Sequence, residues 1–243
     1  MSKIISFGKS DVGLRRSNNE DALVLKPELG FWAVADGMGG AAAGEVASQI
    51  FSESAVEVFS RVEGRSEQEC LALVQETFRL ANTRIRDLAK EKNHPGMGCT
   101  AELVVFCGPN YVLGHVGDSR TYRLRQGQMR QITRDHSLVQ DQIDQGLITQ
   151  VEAKRHSLRN VILRAVGVEE SLAVDLLRGK SMPGDLFLLC SDGLTSMVED
   201  QAIQETLSLS FDLSQKVDQL IALAKSAGGY DNITVILCEV VPS

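Results

Sequence analysis

The sequence lacks the features of an exported or membrane protein. Its five cysteines lie in apolar surroundings and form no C-x-x-C pair, which argues against both a zinc site and a disulfide framework. The first residues, MSKIISFGKSD, have no signal-peptide core, and no apolar run approaches the roughly 20 residues of a membrane span. We therefore expect a cytoplasmic protein with buried free thiols and no membrane association.

Positive charge is also scarce. The chain has 25 Lys and Arg against 32 Asp and Glu, a net charge of −7, and no block of basic residues. Electrostatic binding of nucleic acid is therefore disfavoured, and we expect a protein or small-molecule partner. With 43% hydrophobic residues and no linker or internal repeat, the 243 residues are predicted to form a single domain over 1–243.

Hydrophobic patterning predicts many short strands and two pairs of helices. Helical spacing covers residues 42–59, 67–91, 201–207 and 213–227. The strands are predicted at 4–8, 22–25, 31–35, 101–107, 111–116, 121–125, 129–132, 186–190 and 233–240, with the middle of the chain forming an antiparallel meander. Strands grouped apart from helices favour an α+β fold with two sheets flanked by helix pairs.

Aspartates beside glycines or strand-like runs are the most informative feature that is present. They are Asp36 in FWAVADGMGG, Asp118 in VLGHVGDSR, Asp192 in LFLLCSDG and Asp231 in GGYDNITVILC. A strand that ends in Asp-Gly places a carboxylate at the rim of a sheet, and oxygen-rich sites suit Mg²⁺ or Mn²⁺. A single Asp-Gly is more often a hairpin turn, but several in one chain favour a metal site.

A second polar segment, RRSNNED, precedes the strand-like ALVL run. Arg16 suits a phosphate group because a guanidinium can donate two parallel hydrogen bonds to it, while Glu20 and Asp21 can accept from metal-bound waters. Taken alone, the segment is equally well explained as a solvated loop with an internal ion pair.

The motifs R-S-N-N-E-D, A-D-G-M-G-G, G-C-T-A, G-H-V-G-D-S-R, D-H-S, L-C-S-D-G-L and G-G-x-D-N-I-T-V occur in this order over residues 16–235. Together they resemble the metal-dependent protein phosphatase (PPM, type 2C) family, in particular its bacterial serine/threonine phosphatase branch. The resemblance implies a four-layer α-β-β-α sandwich with two central, mostly antiparallel sheets. It further implies a monomer that hydrolyses phosphoserine and phosphothreonine in proteins, opposite a serine/threonine kinase.

The resemblance also assigns metal ligands. It implies two Mn²⁺ or Mg²⁺ ions bridged by Asp36, with the Gly37 carbonyl on one ion and Asp192 and Asp231 completing the other. Asp118, together with Asp192, matches a weaker third ion. The reaction would be direct attack of a metal-bridging water on phosphorus, without a covalent phosphoenzyme. This fits the absence of a C-x5-R loop, on which a cysteine phosphatase depends.

Three further assignments come from the same resemblance. Arg16 would bind the substrate phosphate and act in catalysis with Asp36 and Asp192, and Glu20 and Asp21 would organise metal-bound waters. Ala41 stands where bacterial relatives commonly have a histidine, so leaving-group protonation is expected to come from another source. Residues 138–167 correspond to the variable flap beside the active site.

Two other functions remain open from the sequence. A phosphoprotein-binding module of the same fold with weak or no catalysis is the main alternative, although retention of Arg16, Asp36, Asp192 and Asp231 argues against it, because unneutralised carboxylates are costly without a cation. A hydrolase of small phosphoesters lacks support, since the chain has no G-x4-G-K-[ST] loop.

Overall fold

The computed structural model describes residues 3–40, 43–61 and 66–242. Ala42, at which the first helix was predicted to begin, and Ala41 lie outside these residues. Within them the ten strands are Lys3–Asp11 (β1), Asp21–Lys26 (β2), Phe31–Met38 (β3), Gly98–Cys107 (β4), Asn110–Val116 (β5), Arg120–Arg125 (β6), Gln128–Gln131 (β7), Asp175–Lys180 (β8), Leu186–Cys190 (β9) and Ile233–Val241 (β10).

The described residues form seven helices, most of which follow one another in pairs along the chain. They are Ala43–Phe59 (α1), Glu67–Lys92 (α2), Leu138–Asp144 (α3), Gln150–Lys154 (α4), Asp192–Thr195 (α5), Asp200–Ser208 (α6) and Leu213–Ser226 (α7), with a single 3-10 turn at Pro27–Leu29. Capping boxes begin α2 at Ser66 and α7 at Asp212, where each side chain satisfies a free backbone N–H. None of the helices described has the length and apolarity needed to cross a membrane.

The strands form two antiparallel sheets. One has the order β2-β3-β4-β5-β8 and the other β1-β10-β9-β6-β7. Helices α1 and α2 pack on the first sheet, and α5, α6 and α7 pack on the second. The predicted α+β fold, a four-layer α-β-β-α sandwich, is therefore confirmed.

Apolar side chains along the central strands point alternately to two opposite faces, which explains why the two sheets stack face to face. In β3, Phe31 and Ala33 face the helices, whereas Trp32 and Val34 face the other sheet. In β10, Val235 and its odd-numbered apolar neighbours pack in the core with α7. Ile236 and its even-numbered apolar neighbours pack against the first sheet. Both faces of β3 and β10 are largely buried, so successive side chains in these strands belong to different cores.

All nine predicted strands and all four predicted helices occur, with boundaries shifted by a few residues. The meander is the exception, because β5 and β6 lie in different sheets and only the β4–β5 and β6–β7 hairpins are direct. Strand β8 was not predicted, since its sequence DLLRGK is half-buried at a sheet edge. The five cysteines are buried and form no disulfide, as expected.

A buried acid and a buried histidine connect the two sheets. Glu102 of β4 and His115 of β5 are paired across the first sheet and fully buried. The Glu102 carboxylate accepts from the His115 Nδ1 and from Thr121 Oγ1 (2.5 Å) in the second sheet, and His115 Nε2 lies 2.8 Å from the Arg134 carbonyl. Desolvation lowers the pKa of His115, but attraction to Glu102 outweighs it and raises the pKa above 6.5.

The variant His115→Leu should lose about 3–5 kcal/mol of unfolding free energy, because it leaves the Glu102 carboxylate buried without its cation. The double variant Glu102→Leu/His115→Leu should recover most of that loss, since no buried charge then remains. Urea denaturation measures both values. A double variant as unstable as the single one would contradict this assignment.

The same pair predicts a pH dependence. The folded chain holds the His115 proton more tightly than the unfolded chain, so the contribution is complete below the unfolded pKa of 6.5 and is lost as pH rises through the raised folded value. Between pH 6.5 and 9 the unfolding free energy of the wild type should therefore fall relative to that of the double variant. Parallel pH profiles would show that His115 is neutral when folded.

Candidate functional site

Five acidic side chains meet at one end of the two sheets. They are Asp21, Asp36, Asp118, Asp192 and Asp231, called here the acidic cluster. Asp36 lies near the end of β3, opposite Asp21 at the start of β2 and Thr100 near the start of β4. Asp118 follows the end of β5, Asp192 follows β9, and Asp231 precedes β10. Because neighbouring strands are antiparallel, the end of one strand lies beside the start of the next.

Burial and mutual repulsion perturb the acidic cluster. Desolvation, followed by the charges of Asp21 and Asp192, raises the pKa of Asp36 well above its ordinary range. Desolvation and the charge of Asp231 raise the pKa of Asp192 to about 6. Desolvation likewise raises the pKa of Asp21 to about 7 and that of Asp118 well above its ordinary value. Such a set is unstable as fully ionised carboxylates unless positive charge is supplied.

The carboxyl groups partly compensate one another. The Asp36 side chain partly offsets the rise in the pKa of Asp192, as expected for two neighbouring carboxyl groups that can share a proton. In the residues that the structure describes, no three His, Cys, Asp or Glu side chains are arranged as a finished metal site. Binding of a cation would therefore replace the shared proton and reorient the carboxylates.

The available atoms nevertheless fit hard divalent cations. Asp21 Oδ1 and Asp118 Oδ1 are buried without a hydrogen-bond partner, and a buried oxygen left unpaired is costly unless something binds it. The acidic cluster presents oxygen only, the donor that Mg²⁺ and Mn²⁺ prefer. The nearest cysteine of β4, Cys99, is excluded as a ligand because burial raises the pKa of its thiol far above neutrality.

Asp21 is fixed by the second sheet. Its Oδ2 accepts hydrogen bonds from Ser191 Oγ (2.8 Å) and Thr234 Oγ1 (2.6 Å), leaving Oδ1 directed into the site. The neighbouring Glu20 is also buried, and its carbonyl accepts from the N–H of Gly37 (3.1 Å) and from Ser48 Oγ (2.6 Å). Both residues are thus held in place by bonds across the fold.

Gly37 sits in a space that admits no side chain. A Cβ there would lie 2.1 Å from the Gly44 carbonyl oxygen and 2.6 Å from that of Glu20. The glycine therefore lets the end of β3 approach α1 and the Glu20 backbone closely. This approach places the Gly37 peptide directly beside Asp36.

Arg16 occupies the open side of the acidic cluster. Its Nη2 donates to Asp231 Oδ2 at 2.7 Å, and the Arg16 side chain remains 47% exposed. Burial lowers the pKa of Arg16, but the charge of Asp231 outweighs this effect and raises it, so the group is a permanent cation.

A single amide joins the Arg16 loop to the Asp231 loop. The buried Asn232 Nδ2 donates to the carbonyls of Val12 and Asn18, both at 3.0 Å, and Asn232 Oδ1 accepts from the Glu20 N–H at 2.8 Å. These bonds hold the residues on either side of Arg16 against the start of β10.

The turn before Asp118 is anchored by a histidine. Gly117 and His136 exchange two hydrogen bonds, with the Gly117 N–H donating to His136 Nδ1 (3.1 Å) and the His136 N–H donating to the Gly117 carbonyl (2.7 Å). Since Nδ1 accepts, Nε2 carries the ring proton and donates to Asp175 Oδ2 at 3.2 Å. Burial lowers the pKa of His136 to about 4, so the ring is neutral.

The comparisons with known proteins agree with this geometry. The family model of protein phosphatase 2C matches residues 15–237, which contain Arg16 and the whole acidic cluster. The chain belongs to the protein phosphatase 2C family. It is 40% identical over 234 residues to the serine/threonine protein phosphatase PstP of Mycobacterium tuberculosis, a match that covers 96% of this chain and 44% of PstP. The chain thus spans less than half the length of that relative.

One further relative and one solved structure match this phosphatase 2C chain over nearly their full length. The serine/threonine phosphatase stp of Listeria innocua is 38% identical over 236 residues, which cover 95% of this chain and 94% of stp. The solved catalytic domain of PstP in complex with two manganese ions matches with a TM-score of 0.91 at 37% identity, covering all of both chains. That relative binds manganese on the same fold.

The structure brings all of the predicted site residues to one end of the phosphatase 2C fold: Arg16, Glu20, Asp21, Asp36, Gly37, Asp118, Asp192 and Asp231. Ala41 cannot be placed, as it lies outside the described residues. The sequence reasoning missed Ser191, Thr234 and Asn232, which hold the acids from behind. These residues could have been recognised from the sequence, because all three are polar residues in or beside buried strands within the quoted motifs.

Asn232→Ala should lower the unfolding free energy by about 2–4 kcal/mol, because it removes three hydrogen bonds between the buried amide and backbone groups of Val12, Asn18 and Glu20. It should also weaken orthophosphate binding about tenfold, since the loop carrying Arg16 is no longer fixed. Urea denaturation and calorimetric titration with orthophosphate measure the two effects.

The matched control is Asn82→Ala, which removes a buried amide bonded to the Glu169 carbonyl (2.9 Å) and the Gly167 N–H (2.7 Å). It should lose similar stability and retain orthophosphate affinity. Equal weakening of phosphate binding in both variants would mean that Asn232 acts only through general stability.

Proposed function

We propose that this phosphatase 2C family member is a metal-dependent protein serine/threonine phosphatase. The observation that carries the proposal is a largely half-buried acidic cluster with two buried, unpaired oxygens, bordered by the exposed cation Arg16. Acids alone would repel a phosphate monoester, whereas the acids loaded with divalent cations and flanked by a guanidinium would attract it. The names of the PstP and stp relatives support phosphoserine and phosphothreonine as substrates.

The residues proposed to hold two Mn²⁺ or Mg²⁺ ions are Asp36, the Gly37 carbonyl, Asp192 and Asp231. Asp118, whose Oδ1 is unpaired, would hold a weaker third ion with Asp192. Manganese is supported by the solved PstP complex. When bound, the ions would neutralise phosphate charge and make water acidic enough to attack phosphorus at neutral pH.

The protein's own groups would bind and orient the substrate. Arg16 donates to Asp231 through Nη2 only, so its remaining N–H groups can donate to two phosphate oxygens. Asp21 and Glu20 would accept hydrogen bonds from water in the site, and their fixed positions avoid reorganisation during the reaction.

Neither histidine near the site is free to protonate a leaving group. Both ring nitrogens of His115 contact protein oxygens, and both of His136 are occupied by Gly117 and Asp175. We therefore propose that the leaving alkoxide takes its proton from water in the site, since Ala41 replaces the histidine expected after Gly40.

The wider setting follows from the same assignment. We propose phosphoproteins as substrates, a counteracting serine/threonine kinase, a monomeric state and a cytoplasmic location. Residues 138–167, which carry α3 and α4, would form the flap of a single domain. The exposed Leu147 and Val151 are located on this segment.

Asp192→Ala should abolish turnover of p-nitrophenyl phosphate and of a phosphothreonine peptide even at high Mn²⁺, because Asp192 serves two of the proposed ions. The wild type should be active with Mn²⁺ and inactive with EDTA. Phosphate release is the measurement. Asp185→Asn is the control, since Asp185 is a buried aspartate that precedes β9 and pairs with Arg125.

Wild-type protein that binds phosphopeptide but releases no phosphate with Mn²⁺ would favour the alternative of a binding module. Activity that survives EDTA, or that is lost equally in Asp185→Asn, would contradict the proposed role of the acidic cluster.

A further inference from the structure

Two large apolar side chains and a cation stand beside the proposed phosphate site. Leu14 is 58% exposed and Tyr230 is 57% exposed, and Arg15, which follows Leu14 in the chain and lies over the Tyr230 ring, is also exposed. Arg15 immediately precedes Arg16, and Tyr230 immediately precedes Asp231, the partner of Arg16. We call Leu14, Arg15 and Tyr230 the mouth rim.

The mouth rim is built on two adjacent glycines, which lets its side chains pack closely onto backbone. A Cβ at Gly228 would lie 2.5 Å from Cε2 of Tyr230, so the ring lies directly on that glycine. A Cβ at Gly229 would lie 3.0 Å from Cγ of Leu14, whose N–H donates to the Gly229 carbonyl at 2.8 Å. The exposed side chains are therefore held in position before any ligand binds.

The Arg15 guanidinium packs on an aromatic ring and forms no ion pair within the described residues. Its guanidinium carbon lies 5.7 Å from the centre of the Tyr230 ring, a cation–π geometry. Among the described residues, no carboxylate is within ion-pair distance of Arg15. Asp11, the last residue of β1, is paired with Lys225 at 2.9 Å, and Asp231 is paired with Arg16.

We propose that the mouth rim recognises the polypeptide on one side of the phosphorylated residue and selects for an acidic residue there. This inference rests on the proposed phosphatase function. Arg15 supplies the charge, the Tyr230 ring holds its guanidinium in place, and Leu14 offers an apolar surface to the substrate backbone and side chains.

The distance along the chain limits where the acidic residue lies. Consecutive Cα atoms are about 3.8 Å apart, and an extended peptide advances about 3.3 Å per residue. A phosphate on Arg16 and a carboxylate on Arg15 therefore belong to substrate residues within about three positions of each other. A small phosphoester has no such residue and cannot use the mouth rim.

The test is a set of phosphothreonine peptides with Glu, Ala or Lys placed singly from position −3 to +3. At one or more of these positions the wild type should show about threefold higher kcat/KM with Glu than with Ala, mainly through KM, and a reduced value with Lys. The preference should decline at about 0.5 M salt, because an exposed ion pair is screened.

Variants assign the preference to the mouth rim. Arg15→Ala should bring the Glu-to-Ala ratio to about one, and Arg15→Glu should reverse it in favour of Lys. Tyr230→Phe should retain the ratio because the ring remains, whereas Tyr230→Ala should reduce it. Arg79→Ala is the control, since this exposed arginine lies on α2 and is paired with Glu76. It should leave the ratio unchanged.

The outcomes separate the two proposals. If no phosphorylated compound is hydrolysed, the phosphatase function fails. If p-nitrophenyl phosphate and peptides are hydrolysed but Glu, Ala and Lys are equivalent at every position, the mouth rim does not select substrate and this inference alone is overturned. If the Glu-to-Ala ratio of kcat/KM persists in Arg15→Ala, the selectivity arises elsewhere and this inference is also overturned.

Discussion

Mutual repulsion among crowded, partly buried carboxylates is the constraint on which the rest of this structure depends. Asp21, Asp36, Asp118 and Asp192 all have raised pKa values, because burial and neighbouring acids both disfavour their charged forms. Folding brings them together only because the surrounding cores supply enough stability to offset that cost. A site of this kind is destabilising for the fold and becomes favourable when positive charge binds, which links folding to metal binding.

The two-sheet architecture explains how such a site is held without collapsing. Both faces of the central strands are buried, so the strand ends are rigid, and the acids lie on those ends rather than on long loops. Ser191 and Thr234 of one sheet fix Asp21 of the other, and Asn232 fixes the loop that carries Arg16. The polar residues behind the acidic cluster therefore determine its geometry as much as the acids themselves.

The sequence was sufficient for much of the fold and for the acids. Strand patterning and the Asp-Gly dipeptides predicted the two sheets and the position of Asp36 and Asp192, since these signals are local. The sequence could not predict that the chain leaves the first sheet after β5 and that β6 joins the second. The chain turns at Gly117, and this turn depends on His136 and Thr100, which are distant in sequence. For the same reason, the sequence could not predict the partners of Arg15, Arg16 and Asn232, because these contacts join the first loop of the chain to the last.

The most direct test of this account compares the unfolding free energies of the wild type and Asp36→Asn at neutral pH, with EDTA and with Mn²⁺. The asparagine carries no ionisable group yet keeps the size of the aspartate and can donate as well as accept hydrogen bonds. In EDTA the variant should be more stable than the wild type by about 1–3 kcal/mol, since a buried repulsion is relieved. In Mn²⁺ the order should reverse, because only the wild type gains the full binding free energy. A variant less stable than the wild type in EDTA, or an unchanged order in Mn²⁺, would contradict the central claim.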